Sequence, residues 1–146
     1  MALLPGSHWV ASATADGVVQ LWDAVGRQQG SARLAAQGRA DTEDPAQAQI
    51  SSLAAAQLGP GSYLLASTHD DCTVRLWPVS QAVAEQGQLA PSAVLRGHKD
   101  EAWGVAFSQH LAIRVGDDTT HARVGRCQPH SFACQCQGAL HGGLGV

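Results

Sequence analysis

The chain copies itself: the text from Pro5 to Trp22 recurs from Pro60 to Trp77, 55 residues later and without a gap. Eighteen positions pair and nine are identical: Pro5/Pro60, Gly6/Gly61, Ser7/Ser62, Ala11/Ala66, Ser12/Ser67, Asp16/Asp71, Val19/Val74, Leu21/Leu76 and Trp22/Trp77. Average residue usage gives roughly one match by chance in such a window. A repeated unit of this size buries its faces against its neighbours, so the repeat constrains architecture before any single residue does. Each copy reads as a β-hairpin. HWVASA (8–13) and YLLAST (63–68) are short apolar runs, and VVQLW and TVRLW alternate apolar with polar residues. The turns are Ala15-Asp16-Gly17 and Asp70-Asp71-Cys72, where an Asp side chain accepts from nearby backbone N–H groups and Gly17 suits positive φ.

Leu65-Ala66-Ser67, an Asp71 turn and Val74-x-Leu76-Trp77, with the parallel text in the first copy, resemble the WD40 repeat, one blade of a β-propeller. Leu95-Arg96-Gly97-His98 followed by Ala102 to Ser108 is similar to the Gly-His signature and first strand that open a third repeat. Ile50 to Ala56 fills the first-strand slot of the second copy with no Gly-His before it, and no first strand is legible before the first copy. The resemblance implies an all-β fold: an incomplete WD40 β-propeller with two to three four-stranded antiparallel blades and a poorly structured C-terminal tail. The partial repeat region is expected over 1–110, with blade hairpins at 8–23 and 62–78 and a third blade starting at 94–108, and the tail over 111–146. A propeller takes about 4 to 8 blades of about 40 to 45 residues. The chain therefore reads as part of a larger propeller or as a truncated product.

The family pins the strands of a blade with a hydrogen-bonded set of His, Ser or Thr, Asp and Trp, since buried polar groups require partners. By position this gives Ser12, Asp16 and Trp22 in the first blade, Ser67, Asp71 and Trp77 in the second, and His98 in the third. The third blade aligns its turn at Asp117-Asp118 but places Val124 in the Trp slot, so no blade carries a full set. The resemblance further implies a non-catalytic scaffold whose partners are other protein subunits of a multiprotein complex. The exposed contact candidates are His69 and Asp70 in the second turn, and Lys99, Asp100 and Glu101 before Trp103. A generic adaptor and a non-functional truncated product are the alternatives.

Composition narrows the partners. Nine basic and twelve acidic residues give a net charge of −3, and Lys99 is the sole lysine. No basic cluster exists to neutralise phosphates, so direct nucleic-acid binding is not expected. Ala11-Ser12-Ala13 mimics a signal cleavage site, but Met1 to Val10 lacks a basic start and Pro5-Gly6 interrupts the apolar stretch. No apolar run reaches the roughly 18 residues of a membrane span, so cytoplasmic or nuclear residence is the expectation.

Between the hairpins, Ser31 to Ala36 is read as the outer strand of the first blade and the acidic remainder to Gln49 as a surface insertion. Ser80 to Gln88 is read as a linker and Ala93 to Leu95 as the second outer strand. In the tail, Cys127, His130, Cys134, Cys136 and His141 are the only cluster of soft ligands. Their spacing does not form the paired Cys-x2-Cys or His-x3-His of structural zinc sites, so neither metal nor cofactor is assigned. The tail is equally a native extension or the product of a frame change or retained intron. No nucleophile elbow, phosphate-cradling loop or His-Glu-x-x-His pair appears, so no enzyme is expected.

Overall fold

The computed structural model describes residues 1–25, 32–42, 44, 47–96, 98, 99 and 101–107, and the backbone of three short strands at 113–115, 121–124 and 134–137. Two four-stranded antiparallel meanders make up most of it. The first blade is β1 (Ala2–Leu3), β2 (Trp9–Ala13), β3 (Val18–Asp23) and β4 (Arg33–Arg39), paired in chain order. The second is β5 (Ile50–Gly59), β6 (Ser62–His69), β7 (Thr73–Ser80) and β8 (Ala93–Arg96), again in chain order. Then β9 (Val105–Phe107) pairs β10 (Ile113–Val115), and β11 (His121–Val124) pairs β12 (Cys134–Gln137). The all-β reading therefore holds.

Two details differ from the sequence reading. The first blade has a first strand after all: β1 is only two residues long, pairing Ala2 with Ala11 and Leu3 with Val10. A dipeptide carries too little alternation to be legible as a strand. The stretch after β7 is not plain linker but a helix, α1 (Gln81–Gln86), with Ser80 accepting from the Val83 N–H and Gly87 donating to the Ala84 carbonyl. Val83 and Ala84 on this helix pack against the core between the blades. One apolar face on a six-residue helix is too short a pattern to separate from a loop.

The hairpin turns follow the repeat down to the backbone. Gly17 has φ +81°, and Cys72, its counterpart 55 residues later, has φ +62°. The left-handed conformation costs a side-chain-bearing residue about 1–2 kcal/mol. In the first turn even a methyl group would not fit, because a Cβ on Gly17 would lie 2.7 Å from the Ala48 carbonyl oxygen.

Alternation along each strand sorts the side chains into two rows per blade. In the first blade, cross-strand partners Ala2, Ala11, Leu21 and Ala36 form one row, and Leu3, Val10, Trp22 and Leu34 the other. In the second blade the matching rows are Ala54, Ala66, Leu76 and Ala93, and Ala55, Leu65 and Trp77. We call them the alanine row and the tryptophan row. The core between blades consists of the first blade's Ala11, Val19, Leu21 and Ala36 against the second blade's Leu65, Trp77 and Val79, with Trp9 and Tyr63 meeting edge to face at 6.0 Å between ring centres. Thus the second blade's tryptophan row is covered by the first blade's alanine row. A second cluster repeats the arrangement one step on: Ala66, Leu76 and Ala93 pack with Ala102 and with Val105 and Phe107 of β9.

The segment joining the blades is stitched to both. The Ala40 N–H donates to the Gly17 carbonyl at 3.0 Å, and the Asp70 N–H donates to the Gln49 carbonyl at 3.2 Å. The outer strand of the first blade is also bridged at its edge: Gln37 and Gln88 form a parallel bridge in which the Leu89 N–H donates to the Gln37 carbonyl at 2.8 Å and the Gln37 N–H to the Gly87 carbonyl at 3.2 Å.

Candidate functional site

Of the polar groups singled out from the repeats, Ser12 and Ser67 fall on the tryptophan-row face of their blades. In the first blade Trp22 Nε1 donates to Ser12 Oγ at 2.8 Å, and Ser12 Oγ donates onward to Gln20 Oε1 at 3.4 Å. Asp16 stands apart from them. It accepts from the Thr14 hydroxyl and, at 2.9 Å, from Arg39 Nη2, with both members of the ion pair 61% exposed. The Thr14 bond, more than the Arg39 charge and against slight desolvation, holds the Asp16 carboxyl below the ordinary carboxylate range.

In the second blade Trp77 Nε1 donates to Ser67 Oγ, also at 2.8 Å, but the relay continues differently. His69 Nε2 lies 2.8 Å from Ser67 Oγ, and His69 Nδ1 lies 3.2 Å from the Ala48 carbonyl oxygen. A carbonyl only accepts, so the ring proton sits on Nδ1, and Nε2 accepts from the Ser67 hydroxyl. The result is a one-way relay from Trp77 through Ser67 and His69 to the backbone of the joining segment. Burial, followed by the charge of Arg75, pushes the imidazole down to about 4, outweighing the Ala48 carbonyl and the Asp71 and Asp70 charges, so it is neutral near pH 7.

Asp71 belongs to a separate cluster. It accepts from the Thr73 N–H at 3.1 Å, from the Thr73 hydroxyl at 2.5 Å, and from Arg75 Nη2 at 2.7 Å. Arg75, only 2% exposed in its side chain, also donates to the Asp41 carbonyl at 3.1 Å. Burial pushes the Asp71 carboxyl up, yet the bonds from Thr73 and Arg75 outweigh it and leave the group below its usual range. The expected set of Ser, Asp and Trp is therefore split in both blades, with Trp and Ser in one cluster and Asp in another.

The exposed-contact candidates divide as well. His69 is fully buried, contrary to its reading as an exposed turn residue. It follows Ser67 by two residues, so strand alternation returns it to the inward face. Asp70 is partly exposed and accepts from Ser51 Oγ at 3.0 Å. Lys99 and Glu101 are exposed, His98 is partly exposed, and Asp100 lies outside the described residues. Cys127, His130 and His141, and the side chains of Cys134, Cys136, Asp117, Asp118 and Val124, lie there too. Among the described residues no three His, Cys, Asp or Glu side chains gather as a metal site, and no helix is long and apolar enough to cross a membrane.

Sequence reasoning missed Arg75 and Gln20, which are counterparts in the repeat, and the network role of His69. The signal for Arg75 was present: it lies two residues from Trp77 and so shares its inward row. Ser67 and His69 have the spacing of a hydroxyl and its base, yet both are 0% exposed, and no substrate can reach them in this conformation. A groove of about 510 Å³ runs between the first blade's outer strand and the segment after α1, lined by Gln37, Arg39, Asp41, Gln88 and Pro91 among others. Arg39, its basic group, is already engaged by Asp16.

What is left open is a face. The second blade's tryptophan row is sealed, with Leu65 and Trp77 at 0% exposure. In the first blade Leu3 is 74% and Leu34 39% exposed, and Val10 and Trp22 between them are half-buried. One continuous apolar cross-strand row thus has no blade against it among the described residues. The family model described as WD domain, G-beta repeat matches residues 1–23 and 43–78, which span β1 to β3 of the first blade and β5, β6 and most of β7 of the second. No curated protein matches the chain.

Proposed function

We propose that this chain, whose two matched segments are WD repeats arranged as an incomplete WD40 β-propeller, is a non-catalytic scaffold that binds other protein subunits. One observation carries the reading: the open row Leu3, Val10, Trp22 and Leu34 is the repeat equivalent of a row that, one blade later, is covered by a blade face with Leu65 and Trp77 fully buried. Exposed contiguous apolar surface of this kind marks an interaction site. The covering surface one blade later is small and aliphatic, built on Ala11, Leu21 and Ala36, so the complementary partner surface is another blade-like sheet rich in alanine and leucine. Charge supports a protein partner over a polyanion, because the chain is net negative. Residence in the cytoplasm or nucleus belongs to the same proposal.

The test is the pair of charge insertions Leu3→Asp and Leu34→Asp. Both residues are exposed, so the urea midpoint should hold, while co-purification of partner subunits with the tagged chain should fall at least tenfold. Partners retained by the double variant would remove the reading.

A narrower identity rests on three irregularities occurring together: a second blade without Gly-His after a long link, His69-Asp70-Asp71-Cys72 in its turn, and Leu95-Arg96-Gly97-His98-Lys99-Asp100-Glu101 opening the next. This combination resembles Elongator complex subunit 2, which implies a scaffold of an assembly that modifies wobble uridines in tRNA and is linked to transcription elongation, with catalysis in other subunits. The burial of His69 supplies a reason for one irregularity, since a blade with its own inward histidine has less need of one from a Gly-His loop. Affinity purification of the tagged chain decides it: recovery of interaction partners without the other Elongator subunits eliminates this identity.

A further inference from the structure

The second blade holds the joining segment with a buried histidine whose hydrogen bonds run in one direction only. Trp77 donates to Ser67, Ser67 to His69 Nε2, and His69 Nδ1 to the carbonyl of Ala48. Ala48 lies in the connection between the blades and touches the first blade's turn, where a Cβ on Gly17 would meet it at 2.8 Å. Two neighbouring bonds complete the attachment: Asp70 N–H to the Gln49 carbonyl, and Arg75 Nη2 to the Asp41 carbonyl. The first blade has no equivalent, because Thr14 stands where His69 stands in the repeat and bonds within its own turn.

We propose that His69 is an acid-sensitive latch: neutral, it fastens the connection at residues 41–49 to the second blade, and protonated, it releases it. The chemistry follows from the direction of the relay. A proton added at Nε2 meets Ser67 Oγ, which already receives the Trp77 N–H, and the serine hydroxyl proton then loses its acceptor in a site without water access. The new positive charge also faces the guanidinium of Arg75 on β7. The other charged groups around the ring are Asp70 and Asp71 in the turn, and Asp71 is already committed to Arg75 and Thr73. Cys72 in the same turn donates its N–H to the His69 carbonyl and so follows the ring's backbone. The low-energy response is for the imidazolium to leave the pocket for solvent, which frees the Ala48 carbonyl and loosens the link between the two blades.

The test uses the full chain. Histidine side-chain NMR follows His69 from pH 7.5 to pH 4.5, and amide hydrogen exchange, corrected for its intrinsic pH dependence, follows Asp70, whose N–H donates to the Gln49 carbonyl. The latch requires that His69 stay neutral below pH 6.5 and that opening at the Asp70 amide increase about tenfold per pH unit, about 100-fold between pH 6.5 and pH 4.5. Amides of β2 and β3 in the first blade should change little over this range. His69→Thr, which installs the first blade's residue, should flatten the profile, and His8→Asn should leave it unchanged. A His69 that titrates near 6.5 with no change at the Asp70 amide would overturn the latch, as would a His69→Thr chain that retains the full pH dependence. The wild-type titration decides the matter even if the variant fails to fold.

Discussion

The two blades share half of their hairpin residues, yet they are held together in different ways. In the second, the central residues of both rows are buried, the tryptophan starts a relay through Ser67 and His69, and the turn aspartate grips a fully buried arginine. In the first, one row is open, the tryptophan relay stops at Gln20, and the turn aspartate meets an exposed arginine. The same Trp-to-Ser bond, 2.8 Å in each, therefore sits in two dielectric settings. Hydrogen bonds and charges count for more where water is excluded, and cost more when broken there. The contrast shows that in a repeat array the neighbours, rather than the repeat text, set what a residue contributes.

Deleting the two tryptophans should give the largest contrast. Trp77→Ala removes a fully buried ring and should cost about 3–5 kcal/mol. Trp22→Ala, at a half-buried site, should cost under about half as much, which paired urea titrations will read. Equal losses would mean that the first blade's open row is covered in solution.

Acid should separate the blades next. His69 has its ordinary value of 6.5 in the unfolded chain and about 4 in the folded one. Between those values the unfolded chain takes up a proton that the folded chain refuses, so stability falls as pH drops from about 6.5 to about 4 and is intact above that window. The loss is at most about 3 kcal/mol. Asp71, held below its ordinary 3.8, adds its own loss as pH falls below that value. Stability curves of the wild type and His69→Thr should converge near pH 4 if the histidine is responsible for the upper window.

Gly38→Ala sharpens the comparison at the outer strands. A Cβ there would lie 2.2 Å from the Leu89 carbonyl oxygen, a backbone atom, so the bridge between β4 and the segment after α1 must open. A loss of about 1–3 kcal/mol is expected. Protection of the Leu89 amide, which donates to Gln37, should be lost with it.

The smallest effect is a gain. Cys72→Gly gives the second turn the residue that the first already has, relieving a left-handed side chain at φ +62°. Partly offset by the greater freedom of glycine in the unfolded chain, the change should stabilise by about 0.5–1 kcal/mol. The reverse exchange, Gly17→Cys, should destabilise more strongly, because its side chain has Ala48 in the way. Thermal melts of the two single variants will show whether the signs are opposite.

Much of this architecture was legible in the text. The duplicated hairpins and the Asp turns follow from alternation and turn chemistry, the outer strands expected at 31–36 and 93–95 overlap Arg33–Arg39 and Ala93–Arg96, and the strand Val105–Phe107 falls in the segment 94–108 that the resemblance marks as a further blade. The two-residue β1 and the six-residue α1 were not, because each is shorter than the period that would reveal it. At the site, the Trp and Ser pairs could be named from the repeat, but the separation of Asp16 and Asp71 from them could not. That separation depends on Arg39 and Arg75, whose reach to the turns is a matter of side-chain geometry.

The sequence by itself determined the unit, its two-row alternation and the number of times it is written, since these depend only on period and local turn chemistry. Tertiary structure decided which row of which blade is sealed, and with it the fate of His69. A residue beside two aspartates in a turn reads as solvated until the neighbouring segment closes over it. Burial is a property of what lies across the face, and no local pattern encodes it.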